Sequence, residues 1–123
     1  MLKTLLWIGL GSMLGGVLRH LITIMFSQKT PNGFPVSTMI INLIGCFCIG
    51  LVMGWAEKNF IHPELRLFLS AGVLSGFTTY SAFSFQTMHL IRSGHVWQVF
   101  FYVAGTFILG LGLTFAGYLM TSK

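Results

Sequence analysis

The chain has 123 residues, 54% of them hydrophobic and only 7% charged, with 7 Lys+Arg against 2 Asp+Glu and no Asp. This excludes an ordinary soluble domain and indicates a polytopic membrane protein; at about 20 apolar residues per span there is room for four. The net charge of +5 would suggest nucleic acid in a soluble chain. Here the basic residues flank apolar runs, as headgroup anchors do, so the expected surroundings are a lipid bilayer and no nucleic acid.

The first span is expected over 5–26. Met1, Leu2 and Lys3 ahead of an apolar run resemble a signal peptide, but no small-x-small site closes the run and Arg19 follows it, so it reads as a retained helix. Gly11/Gly15 and Ser12/Gly16 are small-xxx-small pairs that let another backbone approach closely. Arg19, near the far end with His20, either snorkels to the interface or stands as a cation at a pore mouth. Ser27 to Gly33 is a loop, with Lys29, Pro31, Asn32 and Gly33 as turn chemistry.

The second span is expected over 35–55. Asn42 is its one strongly polar interior residue, with Thr38 a turn earlier, and an amide there is either interhelical glue or pore lining. Cys46, Gly50 and Gly54 form a small-residue face. Cys46 and Cys48 are two apart on a helix, point to different faces and cannot pair with each other. Glu57, Lys58, Asn59, His62, Pro63, Glu64 and Arg66 make the most polar loop, which holds both carboxylates of the chain.

The third segment, over 65–91, is longer than a straight span needs. At its centre, 72–87 has no charge but carries Ser75, Thr78, Thr79, Tyr80 and Ser81 beside Gly76 and several aromatics. Non-helical backbone at membrane depth is tolerated only where protein buries it or a wet cavity receives it. Gly76 is a weak point, and the neighbouring hydroxyls can satisfy freed backbone groups. The stretch therefore reads as a broken helix at the centre of an ion pathway. Gly94 caps the segment.

The fourth span is expected over 96–120. Tyr102, Thr106, Gly110 and Thr114 recur every four residues. Such threonines either back-bond to their own helix or form a polar track. Lys3, Lys58, Arg66 and Lys123 fall on one side of the membrane and Arg19, Lys29 and Arg92 on the other, four against three. Such a small bias gives little reason to choose an orientation, and a chain of this kind can pair antiparallel with itself.

No catalytic constellation is present, and an enzyme is not expected. His20, His62, His89 and His95 lie at loop or interface positions without metal-ligand spacing. No carboxylate lies within a span, which argues against a proton- or cation-coupled carrier. Hydroxyls, an amide, an Arg and the positive edges of aromatic rings suit a small anion. Tyr80 and Phe83, three apart, share a face, as packing or as ring edges presented to that anion.

The stretch 72–87 resembles the third-helix signature of the Fluc (CrcB) fluoride channel family. Arg19 behind a glycine-rich first helix, and Asn42 followed by Leu43, Ile44 and Gly45, resemble the two flanking signatures. The resemblance covers the whole chain. It implies an all-α membrane protein of four transmembrane helices with a broken third helix, assembled as an antiparallel dual-topology homodimer. It also implies a fluoride-selective channel for passive efflux across the bacterial inner membrane, protecting against fluoride toxicity, and a structural sodium ion at the dimer interface. The carbonyls of Ser75 and Thr78 would hold the sodium. Tyr80 and Phe83 would form an aromatic box, and Arg19, Asn42, Ser81, Tyr102 and Thr106 would lie on the fluoride pathway. The chain departs from the usual pattern at Tyr80, where an apolar ring is expected, at Ala82 in place of a hydroxyl, at Gln86 where Glu is common, and at Ser75 where Gly is more usual. The competing readings are a small dual-topology drug-cation exporter, which would need a membrane-embedded carboxylate, and a non-conducting assembly subunit.

Overall fold

In hydrocarbon every backbone N–H and C=O must find a partner within the protein, and the apolar runs meet that demand as helices. The computed structural model describes residues 1–26, 34–78 and 80–123; the expected loop at 27–33, with Lys29, and Thr79 of the hydroxyl run lie outside the described residues. Helix α1 is Leu2–Phe26 and α2 is Val36–Glu57. The third segment begins with α3 (Pro63–Leu67), widens into a π-helical stretch at Phe68–Leu74, and closes its first half with α4 (Ser75–Phe77). Its second half is α5 (Tyr80–Arg92), and α6 is Val96–Ser122. Among the described residues, α1, α2 and α6 are each long and apolar enough to cross a membrane. Gly94, with φ of +79°, turns the chain between α5 and α6.

Two polar contacts mark one end of the bundle. Lys3 Nζ pairs with Glu64 at 3.0 Å, tying the start of α1 to the start of α3. The Tyr118 hydroxyl donates to Glu57 Oε2 at 2.6 Å, tying the end of α2 to the end of α6. Both carboxylates of the chain are thus used at that end. The exposed ion pair contributes at most about 1 kcal/mol, so the bundle is held by packing.

That packing is backbone against backbone. A Cβ on Gly11 would lie 2.6 Å from the Phe68 carbonyl and 2.8 Å from Gly72 Cα, and one on Gly15 would lie 2.8 Å from the Phe77 nitrogen. Trp7 meets Phe68 edge-on, 5.6 Å between centroids. Of the two expected small-residue pairs on α1, Gly11/Gly15 is used. Within the one chain, Ser12 seats against Gly76, while among the described residues nothing lies within 4 Å of a Cβ on Gly16. Between α2 and α6 a Cβ on Gly50 would meet the Tyr118 nitrogen at 2.9 Å, and one on Gly117 the Leu51 nitrogen at 3.0 Å. The Thr114 hydroxyl donates to the Cys46 carbonyl at 2.9 Å, and Thr121 to that of Leu51 at 3.0 Å. Without a hydrophobic force between helices in lipid, such close approach and interhelical bonds are what associate them. Apolar side chains such as Leu5, Met13, Phe107 and Phe115 are left on the outside.

The third helix breaks at Thr78, two residues later than the weak point expected at Gly76. Thr78 has φ −94° and ψ 154°, extended rather than helical. Its N–H and its hydroxyl both donate to the Leu74 carbonyl, at 2.9 and 2.8 Å. Gly76 stays helical because its missing Cβ makes room for Ser12, whose Cα would stand 2.9 Å from it. A glycine serving a contact and a glycine serving a break look alike in sequence.

Candidate functional site

The break opens a groove of about 670 Å³ walled by α2, the third segment and α6. Asn42, Gly45 and Cys46 come from α2; Ser75, Thr78, Tyr80 and Phe83 surround the break; Val103, Thr106 and Phe107 come from α6. Asn42 is buried, placed by the same face of α2 that carries buried Thr38 and Gly45. Gly45 has no side chain because the Thr78 methyl occupies its Cβ position. The extended residue is therefore seated directly on α2, and a larger residue at position 45 would displace the Thr78 side chain.

Four aromatic rings run in contact along one edge of this site. Phe34 meets Tyr102 edge-on with centroids 5.7 Å apart; Tyr102 and Phe83 lie 5.0 Å apart with planes tilted 31°; Phe83 and Tyr80 lie 6.0 Å apart, tilted 36°. Tyr102 is fully buried, whereas Tyr80 is 81% exposed on the open side of the groove. Tilted and edge-on pairs direct ring edges, which carry partial positive charge, toward neighbouring groups. The Tyr102 hydroxyl and Thr106 Oγ1 are buried without a hydrogen-bond partner among the described residues. Leaving such a group unsatisfied costs about 1–3 kcal/mol, so each is a position where a guest can be bonded.

The residues expected on the pathway are therefore distributed as follows. Asn42, Tyr80, Phe83 and Thr106 line one groove, and Ser75 and Thr78 line it too. Tyr102 stands behind Phe83, in ring contact with it. Ser81 is exposed on α5 and is not part of the groove wall. Arg19, half-buried on α1 one turn beyond Gly15, continues the face that packs on the third segment and is likewise outside the groove wall. Thr114 belongs with the scaffold, since its hydroxyl is bonded to α2. Phe34 is a contact of Tyr102 that the sequence reading did not include; an aromatic just before the second span was the available signal.

At the break the chemistry suits a hard cation as well. The last carbonyls of a helix have no intrahelical partner, and α4 ends at Phe77 with Thr78 extended beside the groove. Among the described residues no cluster of His, Cys, Asp or Glu could hold a metal ion; the oxygens at the break are backbone carbonyls, which are hard ligands.

Residues 6–118 match the protein family described as CrcB-like protein, Camphor Resistance (CrcB). The chain is 37% identical to a fluoride-specific ion channel FluC of Flavobacterium psychrophilum, over 99% of both chains. It is 40% identical to a protein of the same name from Thermus thermophilus, over 92% of this chain and 90% of the relative. To the Aquifex aeolicus protein of that name it is 34% identical, over 92% of each.

Proposed function

Because the chain belongs to the CrcB-like protein family, we propose that the groove between α2, the broken third helix and α6 is one wall of a fluoride pathway. The chain is a fluoride channel and a multi-pass membrane protein. The observation that carries the pathway reading is the meeting of Asn42, Thr106 and the Tyr80–Phe83 rings at one break, next to buried hydroxyls with no partner among the described residues. Both carboxylates, Glu57 and Glu64, are engaged at one end of the bundle, away from this groove. A dehydrated anion needs its hydration shell replaced by donors. Hydroxyls, an amide and ring edges supply that replacement without a fixed negative charge, and no bond is made or broken. A drug-cation exporter is disfavoured by the lack of a carboxylate within a span.

The other wall of the pathway comes from a second copy in antiparallel orientation, in the inner membrane of a bacterium. Supporting this are the near balance of basic residues between the two sides, the open groove and the exposed Tyr80 at its rim. Two breaks related by a twofold axis would bring the carbonyls of Ser75 and Thr78 from both copies together. Those carbonyls would hold a structural sodium ion, which supplies a fixed positive charge and is not carried with fluoride.

The test is fluoride release from loaded liposomes containing the purified protein, with no pH gradient or ATP. Fluoride should leave passively and chloride far more slowly. Equal chloride release would remove the selectivity, and no release at all would leave only a non-conducting subunit. Two variants with Lys added to opposite sets of loops should conduct only when co-expressed; full activity of either alone would exclude antiparallel pairing. Removing sodium should lower both flux and dimer stability, and Ser75→Ala should keep that sodium dependence because only its carbonyl is used. Its loss in Ser75→Ala would show that a side chain holds the ion.

A further inference from the structure

Among the described residues, four buried side-chain polar atoms have no hydrogen-bond partner: His95 Nδ1, Gln98 Oε1, the Tyr102 hydroxyl and Thr106 Oγ1. All four belong to α6 or its N-cap residue, at successive spacings of three, four and four. That spacing places them on one face of a helix, in a column spanning roughly 16 Å at about 1.5 Å per residue. Orphaned buried groups are rare, and each calls for an explanation. Four of them in register on one face have a common one: the column is solvated by something the chain does not supply. We propose that His95 and Gln98 continue the ion path from Tyr102 to the membrane surface, forming an anion-binding mouth at the N-terminus of α6. This rests on the fluoride reading of the groove and extends it to two residues which that reading does not use.

The geometry and charge of this end fit an anion. His95 is the N-cap of α6 and makes no side-chain cap bond, so the first N–H groups of this 27-residue helix take no acceptor from their cap residue, at the positive end of its dipole. Tyr102, fully buried, presents its free hydroxyl one level deeper on the same face. Each member of the column can donate a hydrogen bond: the two hydroxyls directly, the imidazole through a protonated Nδ1, and the Gln98 amide through its NH2 end once the amide turns over to exchange it with Oε1. Arg92 and His89 close α5 at this same end, while both carboxylates lie at the opposite end with Lys3 and Tyr118. An excess of positive charge at one end of the bundle concentrates anions there.

The experiment is fluoride release from liposomes over a range of internal fluoride concentrations, comparing the unsubstituted protein with His95→Leu, Gln98→Leu and Gln98→Glu. Phe100→Leu, on an exposed face of α6 turned away from the column, is the control and should conduct normally. Both Leu variants should slow release about tenfold at low fluoride, raise the half-saturating concentration, and lose less at high fluoride. Gln98→Glu preserves size and polarity, so it keeps the test valid where an apolar residue disturbs folding; its added negative charge should slow release more than tenfold in a protein that still elutes as the unsubstituted one does. A conducting unsubstituted protein whose Gln98→Glu and His95→Leu variants release fluoride within twofold of it, with the same half-saturation, would overturn the mouth. Failure of the unsubstituted protein itself to conduct would overturn the fluoride reading on which the mouth rests.

Discussion

The two halves of α6 carry the same kind of residue at the same spacing and use it in opposite ways. From Gly110 onward the helix presses against α2, and its hydroxyls are consumed: Thr114 by the Cys46 carbonyl, Thr121 by that of Leu51. Before Gly110 the face opens on the groove, and Tyr102 and Thr106 keep theirs free. The difference lies in the partner helix. Gly50 and Gly54 of α2 let the backbones touch, so that a threonine reaches across to a carbonyl. Near Asn42 the two helices meet through side chains instead, a Cβ on Gly105 lying 3.2 Å from the Met39 methyl, and the groove beside the break opens along both of them. One half is scaffold and the other is site, and the division falls where the small residues of α2 give way to Asn42.

The largest effect should come from breaking the scaffold half. Gly50→Val places side-chain atoms against the Thr114 carbonyl and the Tyr118 nitrogen, both backbone, with no flexible group to give way. Overpacking of that kind costs about 1–3 kcal/mol or more, and here it separates the two helices. The variant should yield no monodisperse protein on gel filtration in detergent. A well-folded Gly50→Val would mean that α2 and α6 do not approach as closely as described.

A smaller and opposite result is expected in the site half. Tyr102→Phe keeps the ring stack with Phe34 and Phe83 and removes only the unpartnered hydroxyl. Hydrogen bonds to charged groups contribute about 1.5–3 kcal/mol, so fluoride release should fall at least about tenfold. Thermal stability should be unchanged or slightly raised, since a buried unsatisfied group has been removed. A drop in stability with unchanged release would place that hydroxyl in the scaffold.

The same comparison explains what could be read in the sequence. Four apolar runs with polar punctuation set the helices to within a few residues, because hydrocarbon leaves the backbone no alternative. The broken third helix was legible in Ser75 to Ser81, and Asn42, Tyr80, Phe83 and Thr106 do converge on one groove. The position of the break was not legible. Gly76 is a contact for Ser12, and the break falls at Thr78, where a side-chain hydroxyl shares the Leu74 carbonyl with its own N–H. Nor could the four-residue stripe on α6 separate Thr106 from Thr114. Their difference is the presence of a carbonyl on another helix, a tertiary fact that periodicity does not carry. Arg19 is similar: its charge marks it as exceptional in a span, but it lies one turn beyond Gly15 on α1 and is not among the residues that line the groove.

The most direct measurement is therefore a matched pair on one helix, Thr106→Val and Thr114→Val, each assayed for fluoride release from liposomes and for thermal stability. Valine has nearly the shape of threonine and lacks only the hydroxyl, so the two variants differ in what that hydroxyl was doing. Thr106→Val should release fluoride about fivefold to tenfold more slowly with stability intact. Thr114→Val should lose about 1 kcal/mol of stability, the net worth of one hydrogen bond, and conduct at close to the unsubstituted rate. The reverse pattern, with Thr106→Val conducting normally and Thr114→Val blocked, would contradict the division of α6 into a scaffold half and a site half.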